Sequence, residues 1–237
     1  MEPGEAADTS RGAVTRYTKK EQLKEVAVFM VLVLIEYSNS ESLKAAVNAN
    51  PSLKASQSFL ADFVRLTSQD LHPILLIATA IWISLTITAI ARHRIIPRWM
   101  LDAMGLWAVG RMTLDFILIN GLIFHPGLVQ PSVLLSQILI YLPFFAITWG
   151  WIFYRLDRVH SGKIASIITM SHVAPTRTPQ TYDYYHATFN AIINKGGAKI
   201  TGMNRTGLIA TLTFDTMLLC LYALMITRLF QLIKPPI

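Results

Sequence analysis

Long apolar runs alternate with short polar turns over most of this 237-residue chain. The run "HPILLIATAIWISLTITAIA" (72–91) has no ionisable residue after His72 and has the length of a bilayer span, roughly 20 residues. A short basic turn, "RHRIIPR" (92–98), leads into a second run at 99–124. The turn "HPGLVQP" (125–131), with two prolines, precedes a third run at 132–156, where Pro143 predicts a kink. A last run covers about 208–232. These four runs predict four long helices.

The N-terminal part is less regular. Residues 1–18 are polar and contain Pro3, Gly4 and Gly12, which predicts a disordered tail. "VAVFMVLVLI" (26–35) is a shorter apolar run between Glu25 and Glu36. It predicts a helix extending to about Val47, with three placements open: at the interface, as a short tilted span, or packed on the bundle. Lys19 and Lys20 precede it, but the long lead and the lack of a small-residue cleavage site predict that it is retained. Over 38–71, Leu53, Phe59, Leu60, Phe63 and Leu66 recur at spacings near three and four, as in an amphipathic helix at a membrane surface or against a partner.

Composition turns this pattern into a fold class. The chain is 53% hydrophobic and 15% charged, with mean hydropathy +0.44, whereas soluble domains carry about 25% charged residues. The expectation is an all-α, multi-pass integral membrane protein, its first partner the lipid bilayer. The net charge of +7 fits basic loops beside lipid headgroups. Nucleic-acid binding is not expected, because the basic residues sit at the ends of apolar runs without interleaved aromatics. Cys220 stands alone, so no disulfide framework exists.

Residues 157–181 are polar and loop-like, "YDYYHATFNAII" (182–193) is helical but too short to cross, and a turn follows: Asn194, Lys195, Gly196, Gly197, Ala198, Lys199. A span, a short re-entrant helix, a glycine turn and another span make a pore-loop arrangement. Residues 132–232 resemble the prokaryotic two-helix pore domains of the potassium-channel superfamily. "WIFYRLD" resembles the end of that family's outer helix, and "DYYHATFNAIINKGGAKITG" keeps the family's length from Asp183 through the turn. Thr188, Phe189, Gly196, Ile200 and Thr201 fall on matching positions. Asp215 stands near the inner helix's acid, and "MITRL" (225–229) resembles that helix's end. The resemblance implies a helical bundle with a potassium-channel-like pore domain, a homotetramer, and the plasma (inner) membrane of a prokaryote. The domains expected are then 1–18, 19–71, a hairpin at 72–124 and the pore domain at 132–232.

The filter departs from the family. Where the family has T-V-G-Y-G-D, this chain has N-K-G-G-A-K. A potassium filter replaces the ion's water shell with backbone carbonyls, and its glycines adopt conformations other residues resist. Ala198 stands where the second glycine is needed, and Gly197 replaces the bracing tyrosine. In a tetramer, two lysines per subunit place eight positive charges around one axis. At about 4 Å and an effective dielectric of about 20, each like-charge contact costs about 4 kcal/mol. Potassium selectivity is not expected. Three readings stay open: a lysine ring favouring anions, a phosphate or headgroup site, or a silent relic. The alternative function is a non-conducting partner subunit that uses the 38–71 helix and the basic loops.

Other chemistry is sparse. Arg111 and Asp115 stand four apart on the 99–124 run, as an i,i+4 pair or a latch between helices. One arginine does not make a voltage sensor. Asp215 either faces a pore or bonds its neighbours. The six histidines are scattered without metal-ligand spacing, and His186 reads as packing. No catalytic constellation or cofactor motif is recognisable, so an enzyme is not expected. Orientation stays open. Arg92, Arg94, Arg98, Arg158 and Lys163 place their loops inside by the positive-inside rule, whereas the channel resemblance places the pore loop outside.

Overall fold

The computed structural model describes residues 19–49, 62, 66, 71–92, 96–123, 131–160, 167–174, 179–193 and 199–233. The expected tail at 1–18, most of the expected amphipathic helix and turn residues 194–198 lie outside them. The described chain is mostly helical. Six helices, α1 (Lys19–Ala49), α2 (Leu71–Ala91), α3 (Arg98–Ile123), α4 (Pro131–His160), α5 (Thr181–Ile193) and α6 (Arg205–Ile233), are joined by two short strands, β1 (Ile168–Met170) and β2 (Ile200–Gly202).

Helix α1 is about 46 Å long at 1.5 Å per residue. Its buried positions, Gln22, Glu25, Val26, Phe29, Leu32, Glu36, Asn39 and Ser40, recur at three and four residues and form one stripe. The stripe is apolar in the middle and polar at both ends. Of the three placements open for 26–35, the helix is packed on the bundle, against α3 and α4. Phe29 meets Trp82 of α2 edge-on at 6.1 Å and Trp151 of α4 at 6.0 Å.

Helix α4 is the central element, touching α1, α3, α5 and α6. It begins on Pro131, whose missing N–H costs nothing at a first helical position, and continues through Pro143. Phe145, Trp149 and Phe153 of α4 enclose Phe214 of α6, with ring centroids 5.5 to 5.6 Å apart. Among the described residues two stretches are long and apolar enough to cross a membrane, Ser132–Arg158 and Arg205–Gln231. Only 28% of the apolar stretch of α6 is buried, and its outer face presents Leu208, Ile209, Leu212, Leu219, Ile226 and Phe230.

The strands were not expected, because three residues are too few for an alternation to show in the sequence. They pair antiparallel, Ile168 with Gly202, Thr169 with Thr201 and Met170 with Ile200. Ile168 and Met170 point inward and Thr169 outward. The loop expected at 157–181 therefore holds the end of α4 and one strand. Gly202 and Gly207 bring the ribbon onto the start of α6: a Cβ on Gly207 would lie 2.5 Å from the Ile167 carbonyl oxygen. Asn204 caps α6, its side-chain oxygen accepting from the Gly207 N–H at 2.8 Å.

Candidate functional site

Helix α5 begins beside the ribbon. Asp183 accepts from the Gln180 N–H at 2.7 Å, reaching back across the first turn to satisfy a helix-start donor. Tyr184 donates its hydroxyl to Asp157 near the end of α4, and its ring meets Tyr154 at 5.7 Å. Burial, then the bond to Asp157, pushes the Tyr184 phenol far above its ordinary value, so it remains a donor. Gly150 lets Tyr185 lie flat on α4, since a Cβ there would stand 2.4 Å from the ring.

The other end of α5 is tied to α6. Tyr222 donates its hydroxyl to the Ile192 carbonyl. Tyr222 is fifteen residues beyond Gly207, about 22 Å along α6. By Lys199 the chain is back at the ribbon: the Lys199 N–H donates to the Ser171 hydroxyl at 2.9 Å, and its carbonyl accepts from the Ser171 N–H at 3.1 Å. The segment thus leaves the ribbon end of the bundle and returns to it.

A cleft of about 470 Å³ lies between the end of α5, β2 and α6, lined among others by Lys199, Ile200, Thr211, Phe214, Asp215 and Tyr222. Of the residues expected in the filter-like turn, only Lys199 is described; Asn194, Lys195, Gly196, Gly197 and Ala198 are outside the described residues. Lys199 and Asp215 are both exposed and line one cleft, a cation and an anion separated by 16 residues of chain. Thr188 is fully buried and donates to the Tyr185 and Tyr184 carbonyls of its own helix at 2.9 and 3.2 Å. Phe189 is half-buried. His186 stacks on Tyr182 at 5.6 Å, a packing contact.

Arg111 and Asp115 form a separate polar centre, between α1 and α3. Arg111 Nη2 donates to Asp115 at 3.4 Å and, more closely, to Glu36 of α1. Asn39 Nδ2 reaches the other Asp115 oxygen at 3.5 Å. All four side chains are buried. Sequence reasoning missed Glu36, treating it as the border of an apolar run. Its signal was its place in the stripe of Phe29, Leu32 and Asn39.

A second ionic layer ties the ribbon end. Arg98 grips Glu25 with two bonds of 2.7 and 3.2 Å and meets Asp102 at 3.2 Å, while Arg155 of α4 reaches Asp102 at 2.7 Å. Arg158 pairs with Glu21 at 3.0 Å. This layer is charge-balanced and joins α1, α3 and α4.

Comparison with protein-family models, curated proteins and solved structures finds no match to the chain. Any functional reading therefore rests on the geometry.

Proposed function

We propose that the chain is a subunit of an ion-channel-like membrane protein, assembled as a homotetramer, with a non-standard filter that does not select potassium. The observation that carries this reading is the path of α5. It runs from the ribbon along α4, its last turn is bonded by Tyr222 of α6, fifteen residues beyond Gly207, and the chain is back at the ribbon at Lys199. Non-helical backbone at membrane depth is tolerated where protein or a water-filled cavity surrounds it. The apolar outer face of α6 supports contact with lipid or with further copies. Asp215 and Lys199 supply charges of both signs to the cleft beside that path.

Planar-bilayer recording of the purified full-length chain, with ion substitution, tests the reading. The expected result is a current without potassium preference. Its reversal potential shifts toward anions in Asp215→Asn and toward cations in Lys199→Ala, because each change removes one sign of charge from the permeation path. Silence in several lipid compositions from an intact tetramer overturns conduction and favours the non-conducting partner subunit.

A further inference from the structure

We propose that Glu36 and Asp115 hold one proton between them, forming a proton-binding site that exchanges through the groove between α1 and α2. The site is separate from the α5 cleft and does not depend on the channel reading.

Charge counting carries the argument. Glu36 and Asp115 bring two carboxyls to a single guanidinium, Arg111, and all three are buried. Among the described residues, the elements packed around them add no compensating charge. From α1 come Asn39 and Tyr37, both neutral. The described face of α2 offers Thr79 and apolar residues. From α4, Tyr141 spends its hydroxyl on the Met112 carbonyl at 2.8 Å. With both carboxyls ionised the cluster would retain one uncompensated negative charge in an apolar bundle, which is prohibitively costly.

The geometry shows how a proton resolves this. The Glu36 and Asp115 carboxyls converge on a single guanidinium nitrogen, Arg111 Nη2. Two carboxylates gathered on one cation in an apolar bundle do not both ionise; they share a proton. Arg111 then balances the remaining charge. Among the described residues none donates to Glu36 Oε2. Glu36 also lines a groove of about 220 Å³, with Val33, Leu34, Tyr37, Ile83 and Trp107 among its walls. The proton has its route to the outside there. Losing it leaves a second buried anion between α1 and α3, so the contact between those helices weakens as pH rises.

Infrared spectroscopy of the full-length protein in lipid vesicles reads the proton directly. At neutral pH the wild type is expected to show a protonated-carboxyl C=O band that disappears on alkaline titration. Glu36→Gln and Asp115→Asn should each remove it, since one carboxylate paired with Arg111 needs no proton. A wild type without that band, or a band that both variants retain, overturns the proposal. The thermal midpoint of the wild type, followed across the same pH range, supplies a readout that needs no variant. It should fall as the band is lost, and a flat profile across the titration overturns the proposal as well.

Discussion

Gly207 and Gly110 show how far one missing methyl group depends on its surroundings. At Gly207 an added Cβ would stand 2.5 Å from the Ile167 backbone oxygen and 2.8 Å from its side chain. A backbone carbonyl held in the ribbon cannot rotate away, so Gly207→Ala must lift the ribbon from α6. We expect a loss of about 1–3 kcal/mol, as for overpacking in general. At Gly110, exposed on α3, nothing lies within 4 Å of the same methyl. Gly110→Ala is expected to stabilise by up to about 1 kcal/mol through helix propensity alone. Thermal melts of the two variants in one detergent check both signs. Neither outcome is legible in the sequence, where both glycines look like interruptions of apolar runs. Arg111 and Asp115 were legible as a pair, because ionisable residues four apart on an apolar run have few other options. Glu36 was not, because its partner lies 75 residues away and only the rotation of α1 brings them together.

At the scale of elements, the apolar runs gave helices close to where they were expected. The run at 99–124 became Arg98–Ile123, and the run at 72–91 became Leu71–Ala91. Hydrophobic length and the punctuating prolines are local signals, and they survive folding. Helix α5 was legible as a helix, but its neighbours were not. Tyr222 ties it to α6 by bonding to the Ile192 carbonyl in the last turn of α5. Tyr222→Phe removes a bond worth about 1 kcal/mol, which corresponds to about fivefold faster amide exchange there. Hydrogen–deuterium exchange of the purified protein reads this. Unchanged exchange in that turn would mean that packing on α4 alone holds α5. The ribbon was invisible because three-residue strands have no period to detect.

Across the whole molecule, the ends of the helices sort into two sets. Arg98, Arg155 and Arg158, each paired with a carboxylate, gather at the end that holds the ribbon and the start of α5. Positive-inside reasoning and the channel-like reading therefore assign opposite faces to the same end. The proposed function requires the ribbon outside. A cysteine at the exposed Thr201, in a Cys220→Ser background, is expected to react with an impermeant reagent added externally. Reaction from the cytoplasmic side alone overturns that orientation.

The sequence by itself determined a mostly helical chain with long apolar helices and a short helix before the last of them. Those properties follow from the length and composition of contiguous segments. Only the tertiary structure decided which polar residues come together: Glu36 and Asp115 on Arg111, Glu25 on Arg98, and Lys199 and Asp215 in the lining of one cleft. Each of these meetings depends on how helices are rotated and staggered against one another, and packing sets that angle over the whole bundle at once.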